Sequence, residues 1–322
     1  MSAVTTSDTL LLDSAERLFG DHCDQSTLDQ AAAGHFPEAL WQAIVTNGFH
    51  QVARQDSGVA LSDAFHLLRV AARCGVPLPL AEALLAARWL DSESDDFLAI
   101  GAVGTDGRAT IPWGQRASRC LVLTRQNTLC TLDTAAASHT ANLAGEPCAI
   151  LDAAQQAALT TGDNPLLMLA LARAACTAGA LEKTLALSLR YVQERHQFGR
   201  PIASFQAIQH TLAVMAAEVA AASQATDAAI AMLQQPRLEF EIAAARIRCA
   251  EASTLVAEAA HQVHGAIGFT QEHSLQHFTR RLWAWRDDYG SEQHWQQVLG
   301  RHLCELGAAD ADNIWDFIAT GY

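Results

Sequence analysis

The sequence predicts a mainly α-helical protein with a β-rich segment in its middle. Helix-forming stretches rich in alanine and leucine fill residues 8–92 and run again from 164 to about 306. Between them, residues 97–150 hold short apolar runs separated by glycine, proline and asparagine, which is typical of strands and turns. We therefore expect three regions: an N-terminal helical domain over 1–93, a shortened β-rich domain over 94–155 and a C-terminal helical bundle over 156–322.

Composition limits the possible partners and the compartment. Half of the 322 residues are hydrophobic, which is enough for a sizeable core. The net charge of −14, from 35 acidic and 21 basic residues, disfavours nucleic acid and anionic membranes. No signal peptide and no apolar run of about 18 residues is visible. The eight cysteines are scattered without a CxxC pair, as in cytosolic proteins with reduced thiols. We expect a cytoplasmic protein that binds neither nucleic acid nor membrane.

Proline and glycine mark the helix ends in the first region. Pro37 lies near the first turn of a helix that ends at Asn47 and Gly48. A second helix is predicted from Leu61 to Cys74, and a third follows a Gly-x-Pro-x-Pro break, from Leu80 to Leu90. In the middle region, apolar runs predict three strands, at Phe97–Ile100, Cys120–Thr124 and Leu129–Leu132.

The last region has the longest helical patterns. Pro165 suits the first turn of a helix that continues to Tyr191. After Phe205, apolar residues recur at steps of three and four, which predicts one buried stripe. The stripe comprises Ile208, Leu212, Met215, Val219, Ala222, Ala229 and Leu233. Further helices are predicted over Glu239–Val263 and from about Glu292 to Leu306, and long helices with short breaks favour a four-helix bundle.

Two motifs in this bundle carry a specific resemblance. The first is Arg195-His196-Gln197-Phe198-Gly199-Arg200-Pro201-Ile202, followed by Phe205-Gln206, and the second is Gln262-Val263-His264-Gly265-Ala266-Ile267-Gly268-Phe269. In this order and at this distance they resemble the C-terminal domain of the acyl-CoA dehydrogenase flavoproteins. The resemblance is strong over about 165–305, moderate over 30–92 and weak between. It implies an acyl-CoA dehydrogenase-like fold, with an N-terminal helical domain, a reduced middle β-domain and a C-terminal four-helix bundle.

The resemblance implies FAD bound between subunits. The family's motif arginine, here Arg195, approaches the diphosphate across a dimer interface, and a guanidinium group is well suited to that contact. Gln206 would reach the adenine, and Gln262, Gly265 and Ala266 would offer amide and main-chain donors to the diphosphate. The residues assigned to FAD are Arg195, Gln197, Phe198, Gln206, Gln262, Gly265 and Ala266. The alternative is that these residues only terminate and pack helices.

The family also needs a glutamate base, which removes a proton beside the thioester carbonyl; burial raises the pKa of such a base. Alignment places the commoner glutamate position at Tyr289 and the alternative position at Leu169, so neither carries a carboxylate. Asp288 adjoins the first position and is the candidate catalytic residue. The competing interpretation is an exposed acid beside Arg286.

Three departures from the family pattern point to a particular kind of member. The middle region is short, the Thr-Glu-Pro and Gly-Ser-Asp stretches are absent and the glutamate is missing. Together they resemble the base-lacking subunit of heteromeric bacterial acyl-CoA dehydrogenases. The implied activity is α,β-dehydrogenation of an acyl-CoA thioester in fatty acid or steroid side-chain degradation. Implied partners are the acyl-CoA, an electron-transfer flavoprotein, and a second copy or a longer acyl-CoA dehydrogenase subunit. The alternative is a catalytically inactive member that serves as a structural or regulatory partner.

Other chemistries are disfavoured. His261 and His264 are three residues apart, and His273 and His277 four apart, but no third metal ligand stands nearby and Gly265 breaks the helix, so we expect no metal. No GxSxG, GxGxxG or P-loop pattern occurs, which argues against a nucleophile elbow and a Rossmann-type dinucleotide site.

Overall fold

A computed structural model describes residues 6–132, 138–152 and 158–309 of the chain. The N-terminal helices are α1 (Thr6–His22), α2 (Gln25–Ala32), α3 (Glu38–Thr46), α4 (Leu61–Cys74) and α5 (Leu80–Leu90). The strands that follow are β1 (Leu98–Val103), β2 (Arg108–Pro112), β3 (Arg119–Leu123), β4 (Leu129–Leu132), β5 (Ser138–Ala141), β6 (Pro147–Asp152) and β7 (Ala158–Leu159). The C-terminal elements are α6 (Pro165–Glu194), β8 (His196–Gln197), β9 (Arg200–Pro201), α7 (Gln206–Ala231), α8 (Leu238–His264), α9 (Leu275–Trp285) and α10 (Glu292–Ala309). The predicted mainly α-helical architecture with a β-rich middle segment is therefore confirmed.

The predicted helix ends in the first region agree with the structure. Pro37 precedes the first residue of α3, and Asn47 follows its last, with Gly48 at φ +72°. The boundaries of α4 and α5 are those predicted, and Gly75 ends α4 at φ +83°. A left-handed backbone at the end of a helix favours glycine, so the sequence signal and the geometry have one physical cause.

The middle region forms one mixed sheet in the order β5-β6-β2-β1-β3-β4-β7. The strand pair β1 and β3 is parallel, and the other pairs are antiparallel. The three predicted strands correspond to β1, β3 and β4. Strands β2, β5, β6 and β7 were not predicted. The burial of β2 alternates along Arg108–Pro112, but this strand is short and ends in proline, so it looks like a turn in the sequence.

Helix α6 is the centre of the bundle and packs against α4, α7, α8 and α9. Asn164 caps it by accepting from the Leu167 amide, and Pro165 is its first residue. Gly179 allows α4 to approach closely, because a Cβ there would lie 2.1 Å from the carbonyl oxygen of Arg69. Among the described residues, α6 is the one helix long and apolar enough to cross a membrane, but 89% of its most apolar window is buried inside the protein, as in a core helix.

Helix α9 was missed by the sequence analysis. Its buried residues include Leu275, Phe278, Leu282 and Trp285, at steps of three and four. That spacing predicts a helix, but the segment is short and carries Arg280 and Arg281.

One contiguous core joins all three regions, and it includes residues from α1 through α10. The expected domain boundary at 93–94 falls between α5 and β1. The boundary expected at 155–156 lies outside the described residues, as do the two ends of the chain. The three-domain division therefore stays a prediction.

Candidate functional site

The fold brings the two sequence motifs to one end of the bundle. A small apolar cluster of Val192, Ile202 and Val263 joins the end of α6, the turn after β9 and the end of α8. Beside it, the Tyr191 ring stacks on His264 with centroids 4.4 Å apart. The Tyr191 hydroxyl donates to the His264 carbonyl oxygen at 3.3 Å. The segments around Arg195 and Gly265 are therefore spatial neighbours.

All seven residues assigned to FAD are exposed on this surface: Arg195, Gln197, Phe198, Gln206, Gln262, Gly265 and Ala266. Phe198 lies in the turn between β8 and β9 and is 90% exposed, at φ +52°. Its ring meets Phe205 edge-on at 6.1 Å, and the Arg200 guanidinium lies 4.3 Å from the Phe205 ring centroid. Phe269 of the second motif is exposed as well, so both motifs present an aromatic side chain to solvent.

The donor set fits a dinucleotide diphosphate. Arg195 offers a guanidinium and Gln262 a side-chain amide. The expected main-chain donor of Gly265 is already used, because its N–H donates to the His261 carbonyl oxygen; Gly265, at φ +62° with open space on its Cβ side, instead allows close approach. A surface groove of about 420 Å³ is lined by Gln262 and Gly265, together with Glu258, His261, Phe269 and Trp283. Guanidinium, amide and aromatic groups are those that hold FAD in proteins. In this chain the groups of the two motifs lie on one surface of the protein and are exposed to solvent.

His264 makes this end of the bundle sensitive to acid. Its side chain is buried, its Nδ1 donates to the Ala260 carbonyl oxygen at 2.8 Å and its Nε2 has no partner among the described residues. Burial, with neighbouring His273 and His261 adding repulsion, lowers the pKa of His264 to about 4. The ordinary pKa of histidine is about 6.5, so the unfolded chain binds a proton more readily than the folded one.

We predict that His264→Phe makes the protein more resistant to acid than the native chain. In the native chain, His264 lowers the free energy of unfolding as the pH falls from 6.5 toward 4. This loss is nearly absent above pH 6.5 and reaches about 2 kcal/mol at pH 5. Phenylalanine can stack on Tyr191 but takes up no proton. Thermal unfolding at pH 7.5 and pH 5 measures the difference. An equal fall in Tm for both proteins would contradict the assignment.

A second feature is a partly open cavity of about 170 Å³ between α4, α5, the sheet, α6 and the α9–α10 loop. Its walls are mostly apolar, as contributed by Leu68, Val76, Leu80 and Trp285. Its polar residues include Glu82, Arg173, Asp288 and Tyr289. An apolar cavity with a few convergent polar groups is the usual form of a small-molecule site.

The polar residues form one connected cluster around Arg173. Oε1 of Glu82 accepts from Arg173 Nη2 at 2.5 Å and from the Tyr289 hydroxyl at 2.7 Å. On the other side, Arg173 Nε lies 3.1 Å from Asp288 Oδ2. Burial opposes the charge of Arg173, but Glu82 and Asp288 outweigh it and raise the pKa of the guanidinium. Arg173 is therefore a fixed cation held by two carboxylates.

The structure places the three candidate base positions differently. Leu169 is fully buried in α6. Tyr289 has a φ of +55°, and its hydroxyl donates a hydrogen bond to Glu82. Burial, with Glu82 nearby, holds the pKa of Tyr289 well above its ordinary value, so the hydroxyl keeps its proton. Asp288 lines the cavity and contacts Arg173, whereas Arg286 contacts Asp287. The side chain of Asp288 is 42% exposed although dense packing surrounds it, and burial raises its pKa against the opposing effect of Arg173.

Glu82 and Arg173 were missed by the sequence analysis. Both stand in runs that are otherwise apolar, Leu-Ala-Glu-Ala-Leu-Leu and Leu-Ala-Arg-Ala-Ala. A charged residue on a fully buried helix face is rarely left unpaired, so these two isolated charges were the available signal for a buried ion pair.

Arg246 holds the loop that carries Asp288 and Tyr289. It is a fully buried residue of α8, and its Nη2 lies within 3.4 Å of four carbonyl oxygens. The acceptors belong to Trp285, Arg286, Asp288 and Gly290. Burial lowers the pKa of Arg246 to about 10, which leaves it charged at neutral pH. Gly290 is required as well, because its φ is +114° and a Cβ would lie 2.6 Å from Trp295 Nε1.

Comparison with known proteins agrees with these observations. Residues 163–302 match the family described as acyl-CoA dehydrogenase, C-terminal domain. The chain is 36% identical over 132 residues to the probable acyl-CoA dehydrogenase YngJ of Bacillus subtilis. This aligned part makes up 40% of this chain and 34% of that protein. It is also 38% identical over 127 residues to the acyl-CoA dehydrogenase IpdE2 of Mycolicibacterium smegmatis, and this aligned part makes up 39% of this chain and 40% of that protein. The aligned part thus spans less than half the length of these relatives.

The whole fold is shared with solved structures. The ChsE4-ChsE5 complex from Mycobacterium tuberculosis contains a chain that superposes with a TM-score of 0.80 at 20% identity, over 94% of this chain and 98% of that one. At such low identity the structural likeness establishes the fold alone. The match over residues 163–302 relates the sequence of the helical bundle to the family. Residues 163–302 are thus similar to the C-terminal domain of the acyl-CoA dehydrogenases, and the predicted acyl-CoA dehydrogenase-like fold is confirmed for the chain.

Proposed function

We propose that this protein is one subunit of a hetero-oligomeric, FAD-dependent acyl-CoA dehydrogenase, in which a longer chain of the same family supplies the base. One observation carries the proposal: the chain keeps the donors for the FAD diphosphate but has Tyr289 in place of the base. An electron-transfer flavoprotein would then reoxidise the flavin. The name of the ChsE4-ChsE5 complex, which joins two different chains, supports a partner of this kind.

The exposed end of the bundle has a binding role in this proposal. Arg195 would neutralise the diphosphate, the side-chain amide of Gln262 would donate to it, and Gln206 would contact the adenine. When bound, FAD supplies the hydride acceptor. The solvent-open position of these residues and of Phe198 requires a second chain to enclose the cofactor.

The cavity has the mostly apolar walls that an acyl group needs, but its polar groups offer no suitable base. Tyr289 keeps its proton, and Glu82 is held by two hydrogen bonds in a fully buried position. A base must reach the proton that it removes and must be free to accept it. Glu82 does not stand at the position predicted for the base, and its Oε1 is already engaged by Arg173 and Tyr289, which favours a base from another chain.

A second candidate function is a self-sufficient dehydrogenase with Asp288 as its base. Two observations favour it: Asp288 lines the cavity beside Tyr289, and burial raises its pKa, as a catalytic carboxylate requires. The contact between Arg173 and Asp288 opposes it, because a neighbouring guanidinium stabilises the ionised carboxylate.

Purification with and without a partner tests the proposal. We expect the chain, co-expressed with a longer acyl-CoA dehydrogenase of the same genome, to co-purify with it as a yellow complex that releases FAD on denaturation. We expect the chain alone to hold less FAD, because its donors lie open to solvent. A chain that binds FAD fully as a homo-oligomer would contradict the hetero-oligomer. Absence of FAD from both preparations would favour the inactive structural partner.

A further inference from the structure

We propose that Tyr191 and His264 are positioning residues: their contact holds the two motif segments against one another, and protonation of His264 opens this end of the bundle locally. The contact lies within this chain, so its opening can be measured on the chain alone. Only the consequence for FAD rests on the proposed function, which places the cofactor on the surface that this contact shapes.

The contact links the first motif to the second through rings and main chain. Tyr191 lies on the last turn of α6, and its carbonyl oxygen accepts from the Arg195 amide at 2.9 Å. Its hydroxyl donates to the carbonyl oxygen of His264, the last residue of α8, at 3.3 Å. The two rings stack with centroids 4.4 Å apart. The pair therefore helps to fix the position of Arg195 relative to Gln262.

Few apolar contacts lie behind the pair. Val192, Ile202 and Val263 form a small cluster that is separate from the large core of the protein. Most other residues of the two motifs are exposed. Segments with few buried apolar contacts open at a lower free energy than a core helix does. Loss of the contact between Tyr191 and His264 is therefore expected to free this end of the bundle while the rest stays folded.

His264 is the member of the pair that responds to acid. Its Nδ1 donates to the Ala260 carbonyl oxygen, and its buried Nε2 has no hydrogen-bond partner among the described residues. A proton on Nε2 would be a buried charge without a partner, which costs free energy that exposure to solvent recovers. The ring of His273 lies 4.8 Å from that of His264 and opposes the same charge. Protonation and opening are therefore coupled.

The groups around His264 do not offset the cost of its charge. The titratable and charged groups on the elements around it are His261 on α8, His273 before α9, and Tyr191, Arg190 and Glu194 on α6. Both histidines disfavour a charge on His264, and Arg190 and Glu194 act on His273 with opposite effects. The turn after β9 and the start of α7 contribute apolar side chains. Because the opened segment regains an ordinary pKa of about 6.5, the open population at pH 5 is about 30-fold larger than at pH 7.5.

Hydrogen exchange of the chain alone, corrected for the effect of pH on intrinsic exchange, tests the local opening. At pH 7.5 we expect the hydrogen-bonded amides within 191–206 and 262–270 to be at least about tenfold less protected than those of α4, a helix of the large core. At pH 5 their protection should fall further, by about 30-fold. Protection equal to that of α4, or protection that does not change with pH, would overturn the inference.

Two variants assign the effect to the pair. His264→Phe keeps a ring against Tyr191 but takes up no proton, so the pH effect should shrink by about tenfold. Tyr191→Phe keeps the ring and loses the hydroxyl, so protection should fall about fivefold at pH 7.5 while the pH effect remains. His302→Phe is the matched control, because His302 lies on α10 beside Glu239. An undiminished pH effect in a folded His264→Phe protein would refute the role of His264, and the comparison of the native chain at two pH values stands without any variant.

The consequence for FAD is measured on the complex with the longer chain. Acid titration, followed by the fluorescence of released flavin, should show FAD leaving the native complex at a higher pH than the His264→Phe complex. Equal release from both would overturn the link between this contact and the cofactor. A complex without FAD at any pH would contradict the proposed function, whereas the hydrogen exchange of the chain alone would still decide whether the contact opens in acid.

Discussion

Replacing Arg195 with glutamine is expected to weaken FAD binding by about 30-fold or more, since the loss removes a charge-assisted contact to the diphosphate. Arg195 is exposed and follows the last residue of α6, where its backbone amide donates to the Tyr191 carbonyl oxygen. Glutamine keeps that backbone bond, so folding should not change. The measurement is FAD affinity of the complex by quenching of flavin fluorescence, with circular dichroism as the check on structure.

Arg190→Gln is the matched control for this effect. Arg190 lies on the same end of α6, its side chain is 72% exposed and it faces Glu194 at 3.7 Å. An exposed pair of this kind contributes less than about 1 kcal/mol to stability. We expect Arg190→Gln to bind FAD nearly as well as the native complex. If both variants retained FAD equally, the motif around Arg195 would not be a diphosphate site.

Replacing Arg246 with methionine is expected to lower the free energy of unfolding by about 3 kcal/mol, because four carbonyl oxygens, buried or partly buried, lose a common donor. The same change should release the loop that carries Asp288 and Tyr289. Tyr289 holds a left-handed backbone, which surrounding contacts must maintain. Chemical denaturation measures the stability, and hydrogen exchange of residues 286–291 measures the loop.

Arg248→Met separates this role from the general loss of a charge on α8. Arg248 lies two residues further along the helix, is 36% exposed and pairs with Glu218 and Glu251. Surface ion pairs are weak, so this change should cost about 1 kcal/mol or less. A cost for Arg246→Met no greater than that for Arg248→Met would show that the carbonyl contacts are dispensable.

The sequence predicted best the features that local chemistry determines. The boundaries of α4 and α5 follow from glycine and proline, which act within one turn of where they stand. The gathering of Arg195, Gln206 and Gln262 at one end of the bundle follows from motif order along long helices. Helix α9 was not predicted, because two arginines stand within its apolar stripe.

The cavity cluster could not be derived in the same way. Glu82 and Arg173 are 91 residues apart, and they meet only because α5 and α6 pack against one another. The hydroxyl of Tyr289 joins them from a loop 207 residues from Glu82. The family resemblance predicts a glutamate at position 289, and the sequence shows a tyrosine there. That the Tyr289 hydroxyl contacts Glu82 depends on tertiary packing.

The most direct test of the hetero-oligomer is an anaerobic titration with acyl-CoA esters, following bleaching of the flavin absorbance. We expect the complex with the longer chain to be reduced, and the chain alone, reconstituted with FAD, to remain oxidised because Tyr289 replaces its base. A catalytic base contributes roughly 100-fold or more to rate, so the two results should be clearly separated. Reduction of the chain alone, abolished by Asp288→Asn, would contradict this account and would assign the base to Asp288.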